Sequence, residues 1–307
     1  MTATSDPYRV DYLNPAGEAS LVPPGSPQWR VFKNPIALGI GGVAAVLLEF
    51  ADARIRSGVW DHSTYKTDPI GRSRRTGTAA LAGVYGPAST ARRIIGGVNR
   101  MHAKVAGDTP SGEAYRALDP ELLDWVAATA GYGFLEAYHR FVTPLSAADR
   151  AAYYRDNEPV VRLYGVQNPL RSDTDFFAML DRLSPRFEPH PIIGEFLDII
   201  MSGQAAPAVP RPLHRALGRA SVSLLPARVR DLLELGRKYD LSLRDRGMLR
   251  AAGWLAERIP VRGSPPWQSA IRQGLPGSFV WRTPRRQKQL LSERNRAGRP
   301  VTDVLTN

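Results

Sequence analysis

Asp119-Pro120-Glu121 opens the run DPELLDWVAATAGYGFLEA (residues 119–137), in which every helix signal agrees. Asp119 suits an N-cap, Pro120 the first helical position, and Glu121 the positive end of the helix dipole. Leu122, Val126, Thr129/Ala130, Gly133 and Ala137 then recur on one stripe at helical spacing. The same punctuation returns on either side. Asp68-Pro69 starts a helix over 70–85 that Gly86-Pro87 stops, and the next covers 88–106. Ser146-Ala-Ala-Asp149 starts one through Tyr154. Further helices are expected over 173–183, 192–202, 227–239 and 242–257, separated by joints at Pro185, Pro189, Pro191, Pro207, Pro210 and Pro212. Upstream, 36–55 reads as one apolar helix weakened by Gly39, Gly41 and Gly42. No segment alternates with period two, and no repeat recurs at a fixed interval. The expectation is an all-α fold, a single large multi-helix domain over 30–275. It lies between an extended N-terminal arm (1–29, with five prolines) and a basic C-terminal tail (276–307).

A chain of 307 residues is long enough to bury a large core. Its lack of cysteine excludes disulfides, zinc fingers, iron–sulfur clusters and a thiol nucleophile. The formal charge of +12 lies entirely beyond residue 210, where 20 Lys+Arg meet 7 Asp+Glu. A basic end of this kind is a solvated surface or a docking site for an anionic membrane surface, nucleic acid or an acidic partner. Met1–Val10 has no basic-then-apolar signal pattern, and the uncharged run Ile36–Leu48 falls short of the roughly 20 residues that span a bilayer. A cytoplasmic location is the default expectation.

Chemistry has few carriers. Only five histidines are present, and HExxH, GxSxG and GxGxxG patterns are absent. On the helix ASTARRIIGGVNRMHAKVA (residues 88–106), Ile94, Val98, Met101 and Val105 cluster, with Ile95 and His102 beside them at about 100° per residue. His102 therefore projects from the apolar side, where its ring nitrogen needs a partner, either a backbone carbonyl or iron. His190 and His214, in proline-rich joints, are expected to be exposed. The preceding helix carries Arg72, Arg75 and Thr76 at i, i+3 and i+4, followed by the small residues Gly77, Thr78, Ala79 and Ala80. The helix after Asp119 is similarly small at Ala127, Ala128, Ala130, Gly131 and Gly133. Such faces suit either a flat ligand or close helix packing.

In this order, EFADARIRSGVWDHS (49–63), DPIGRSRRTG (68–77), RMHAKV (100–105), YRALDPELLDWVAAT (115–129), Glu136-Ala-Tyr138 and Pro144-Leu-Ser resemble the MpaB-like oxygenase family. That family shares its domain with latex clearing protein, the rubber oxygenase. The likeness runs over roughly 35–260 and is densest over 45–165. The resemblance implies a globin-like all-α core enclosing haem b, with His102 matching the proximal iron ligand. It implies Arg72 and Thr76 close to the haem, and oxidative cleavage of carbon–carbon double bonds in an apolar isoprenoid or lipid-like substrate by O2.

The chain departs from the family at three positions. Arg75 stands where rubber oxygenases carry a lysine able to act as distal ligand, and a guanidinium stays protonated and cannot ligate iron. Asp52-Ala53 replaces a frequent His-Pro, and Ala127 a frequent histidine. Glu49 and Asp52, i and i+3, are the nearest candidates for the catalytic acid, with Arg75 a partner for dioxygen or a propionate. The alternatives at this point are a non-catalytic haem- or lipid-binding protein of the same fold, and an interaction protein docking through its basic end. Peripheral contact of that end with a membrane surface is favoured over nucleic acid.

Overall fold

The helices over residues 35–50 and 120–141 are laid against each other along their length, and the remaining elements wrap this pair. A computed structural model describes residues 10–64, 67–204 and 210–296. Its helices are α1 (Pro27–Phe32), α2 (Pro35–Phe50), α3 (Ala53–His62), α4 (Pro69–Tyr85) and α5 (Ala88–His102). After a short antiparallel hairpin, β1 (Ala106–Asp108) and β2 (Ala114–Arg116), come α6 (Pro120–Phe141), α7 (Ala147–Leu163), α8 (Asp173–Leu183) and α9 (Pro191–Ser202). The chain continues with α10 (Arg211–Leu224), α11 (Ala227–Leu232), α12 (Leu243–Arg258), α13 (Pro265–Arg272) and α14 (Pro284–Arg296). The fold is all-α.

Helix starts sit where the side chains dictate. Asn34 accepts from the amides of Ile36 and Ala37, Asp68 from Gly71, Asp119 from Glu121, and Ser172 with Asp175 closes a capping box on α8. The expected helix over 36–55 is two. Asp52 accepts the Arg54 amide at 2.9 Å and caps α3, so the chain breaks at Ala51–Asp52. One face of the apolar run of α2, with Ala37, Ile40, Ala44, Leu47 and Leu48, is buried, and among the described residues no helix is long and apolar enough to cross a membrane.

The centre is the α2–α6 contact. A methyl group on Gly133 would stand 2.5 Å from the Gly41 carbonyl oxygen, so these backbones meet with no room for a side chain. Close helix packing therefore explains that part of the small-residue face of α6. Outward from it lie two apolar clusters. One holds Trp29, Tyr85, Tyr138 and Phe279, the other Trp125, Tyr132, Phe176 and Phe196. α2 threads both, with Ala37, Ile40 and Ala44 in the first and Leu47, Leu48 and Phe50 in the second.

The described parts of the arm and tail are built into the same core. Arg272, buried in α13, donates to the carbonyls of Tyr12 (2.7 Å), Glu18 (2.8 Å) and Tyr85 (2.9 Å), which pins the arm to the body. Desolvation brings its guanidinium down to about 10. Leu21 and Val22 are buried, and Val22 accepts the Trp29 indole N–H at 3.1 Å. Beyond residue 276, Phe279 is fully buried and α14 inserts Leu290, while residues 297–307 and 1–9 lie outside the described chain. α10 occupies a stretch that reads as a proline-rich joint, because Pro212 falls in its first turn, where no amide is needed.

Candidate functional site

α4 and α5 form a hairpin closed at Gly86–Pro87, where the Gly86 amide returns to the Ala82 carbonyl at 2.9 Å. Arg72 and His102 lie equally far from that turn along their helices, so both stand at the open end of the hairpin. The two helices pack on each other and on α7, but approach α2 and α6 only sparingly. Near the turn the hairpin is tight, and a methyl on Gly83 would lie 3.0 Å from Val160 of α7. Farther out it opens. A methyl on Gly77 would meet nothing within 4 Å, and one on Gly97 only the end of the Arg100 side chain.

α2 carries Gly42, Val46 and Glu49 on one stripe, all three partly exposed, and Glu49 feels the charge of Arg72 on the hairpin. Val126, Ala130 and Phe134 of α6 run beside them. A methyl on Gly42 would lie 3.6 Å from the Phe134 ring, and Thr129 Oγ1 donates to Glu49 Oε1 at 3.2 Å. Desolvation pushes the Glu49 carboxyl up to about 7, while the Arg72 charge and the Thr129 hydrogen bond pull it partly back. Glu49 is thus a carboxyl that exchanges its proton near neutrality, with a guanidinium within electrostatic reach.

His102 ends α5. Its Nδ1 is buried and has no hydrogen-bond partner among the described residues. Burial lowers its pKa, which keeps the imidazole neutral, the form that ligates metals. Three other histidines have clear structural surroundings. His139 Nδ1 accepts the Leu145 amide at 3.0 Å, and His190 Nδ1 accepts the Ile192 amide at 3.2 Å as the cap of α9. His214 is buried rather than exposed, tucked under the end of α9, where a methyl on Gly203 would strike its ring at 2.6 Å. His190, also expected to be exposed, is half-buried. His62, exposed, sets its ring edge-on to Tyr115.

The remaining candidates separate. Asp52 is buried, and beyond capping α3 it accepts from Arg54 Nε at 3.0 Å and Nη2 at 2.7 Å, with Arg54 also paired to Glu121 at 3.0 Å. Arg75 turns back to the start of its helix, donating to Thr64 Oγ1 at 2.5 Å and pairing with Asp68 at 3.5 Å. Thr76 is exposed on the outer side of α4. Ala127 lies against Tyr154 and Val161 of α7, away from the Glu49 stripe. Met101, expected on the apolar face, is 58% exposed, because no described helix covers that end of α5. Thr129 is the site residue that sequence reasoning missed. Its signal is a hydroxyl on an otherwise apolar helix face, whose partner lies 80 residues away in the chain.

Comparison with known proteins identifies the family. The sequence profile described as "ER-bound oxygenase mpaB/B'/Rubber oxygenase, catalytic domain" matches residues 29–258. Two uncharacterized proteins, one of Mycobacterium bovis and one of Mycobacterium tuberculosis, are each 31% identical over 118 residues, which is 37% of this chain and 46% of theirs. The match thus spans less than half the length of these relatives. No solved structure matches the chain.

Proposed function

The chain belongs to the mpaB/rubber oxygenase catalytic-domain family, and from that premise we propose that it is a haem b-dependent oxygenase acting on an apolar, isoprenoid or lipid-like substrate. The observation that carries this reading is the buried, partnerless Nδ1 of His102, at the open end of a hairpin whose Gly77 faces empty space. An orphaned buried nitrogen costs about 1–3 kcal/mol. Iron bound at that nitrogen would relieve the cost. Of the five histidines, His102 combines a buried, partnerless ring nitrogen with a place on a hairpin where a methyl on Gly77 would meet nothing within 4 Å.

Bound there, haem b supplies iron chemistry that activates dioxygen for oxidative cleavage of a carbon–carbon double bond. His102 is the residue that would hold the iron. Arg72, at the same end, would neutralise a propionate. Gly42, Val46, Val126 and Ala130 offer an apolar wall against which a hydrocarbon chain excludes water. Glu49, titrating near 7, holds or releases a proton at its Oε atoms within reach of that wall. Thr129 keeps the carboxyl turned toward α6.

The test is spectroscopic. Protein purified from haem-replete cells is expected to show a Soret band that His102→Ala removes, and to consume O2 with a reductant and an unsaturated lipid. A colourless, metal-free wild type overturns the proposal. The positions of Arg75, tied to Thr64 and Asp68, and of Asp52, committed to Arg54, favour a second reading, a non-catalytic haem- or lipid-binding protein. Bound haem without O2 consumption selects it.

A further inference from the structure

Four of the twelve large apolar side chains exposed among the described residues fall within eight positions of the chain: Trp254 (52%), Leu255 (51%), Ile259 (49%) and Val261 (56%). They occupy the last turn of α12 and the Pro260–Gly263 turn that follows. The opposite side of the same helical turn is anchored. Gly253 sits against the Phe141 carbonyl, and Glu257 accepts the Tyr138 hydroxyl at 2.7 Å and pairs with Lys33 at 2.8 Å. The outward face is therefore held in its exposed position by buried partners.

Its charge has one sign. Arg258 lies over the Trp254 ring at 4.0 Å and donates to the Trp254 carbonyl at 3.1 Å, and Arg262 is exposed on the next turn. The one carboxylate of the segment, Glu257, points inward. Indole and aliphatic groups at an apex, flanked by arginines whose stems can lie along them, match the boundary between lipid headgroups and acyl chains. Pairing with a second copy would set Arg258 and Arg262 against their own counterparts with no carboxylate between them.

We propose that this end of α12 docks the protein on an anionic lipid surface. The chain's net charge of +12 adds long-range attraction to the same surface. The docking face lies by the N-cap of α2, where Asn34 Nδ2 donates to the Gly253 carbonyl at 3.0 Å. Glu49 lies at the far end of that helix, roughly 20 Å away at 1.5 Å per residue. Docking and the chemistry of the Glu49–His102 region can therefore be tested separately.

The experiment is co-sedimentation of the full chain with vesicles of phosphatidylcholine alone, or with phosphatidylglycerol as about a third of the lipid. The wild type is expected to bind the anionic vesicles and to be released by salt. Trp254→Ala with Ile259→Ser should weaken binding at least tenfold, about 1.4 kcal/mol, with an unchanged melting temperature. Arg258→Gln with Arg262→Gln should abolish the preference for the anionic vesicles. Absence of wild-type binding overturns the proposal. So does binding that survives the apolar pair of substitutions but is lost in Arg285→Gln/Arg286→Gln/Lys288→Gln on α14. A dimer in sedimentation velocity that the apolar pair dissolves assigns the face to a second copy instead.

Discussion

Adding one methyl group to α6 should have opposite effects at positions two residues apart. At Gly133 the new carbon would stand 2.5 Å from the Gly41 oxygen and 3.4 Å from the Ala45 nitrogen, all backbone atoms that cannot rotate aside. Relief to an ordinary separation of about 3.5 Å requires α2 and α6 to part by about 1 Å, which forfeits a quarter to a half of each dispersion contact at that level. Overpacking of this kind costs about 1–3 kcal/mol, and the absence of any flexible neighbour argues for the upper end. Replacing a mid-helix glycine by alanine returns about 1 kcal/mol. Gly133→Ala should therefore lose about 2 kcal/mol.

At Gly131 the methyl would meet only the Tyr154 ring at 3.5 Å, an ordinary contact. Gly131→Ala keeps the helix gain and should be more stable than the wild type by about 0.5–1 kcal/mol. Thermal and denaturant unfolding of the two variants should differ by about 3 kcal/mol, several degrees in melting temperature. Equal stability of the two would mean that the α2–α6 backbones are not in contact, and the account of the central packing would fail.

Three further expectations concern the site and its surroundings. The Glu49 carboxyl titrates near 7 when folded and near 4.5 when exposed, so the folded chain binds the proton more tightly. Stability should therefore fall as pH rises from 4.5 to 7 and stay reduced above, by up to about 3 kcal/mol at 1.36 kcal/mol per unit. Denaturation of Glu49→Gln across that range should lack this decline, and an unchanged profile would mean that the Glu49 carboxyl is not desolvated. Gly77→Leu, pointing into open space, should leave the stability of haem-free protein within about 0.5 kcal/mol but lower haem occupancy in an absorbance titration; full occupancy would show that the space is not the haem site. Asp52→Ala removes a helix cap and one partner of a buried arginine, so about 2–4 kcal/mol should be lost in thermal melts, with activity per folded molecule retained if its role is structural.

Helix identity was legible because the starts are written in side chains that do one local job, such as Asp68-Pro69, Asp119-Pro120 and Ser172 with Asp175. α10 was hidden for the same reason in reverse, since Pro210 and Pro212 are joint signals that also suit a first turn. The docking of the extended arm onto the body was not legible, because its few apolar groups are supplemented by Arg272, whose hydrogen bonds to backbone carbonyls leave no mark in composition. At the site, the apolar setting of His102 and the presence of Arg72 and Glu49 could be read from spacing. That Glu49 meets Thr129, and that Arg75 turns away toward Asp68, depend on which helices become neighbours. Periodicity describes one helix at a time and cannot supply that.

The two carboxylates that spacing left equivalent are divided by the break at Ala51–Asp52. Had the helix run on, Glu49 and Asp52 would share a face at i and i+3. The break turns Asp52 inward, where a backbone amide and the Arg54 fork hold its charge. Glu49, left on α2, has one hydroxyl donor and a cation within electrostatic reach, too little to offset its loss of water, and its pKa rises accordingly. Proton exchange near neutral pH needs such an under-compensated acid. One interrupted helix thus gives Asp52 a capping role and leaves Glu49 as the carboxyl of the pair whose pKa lies near neutrality.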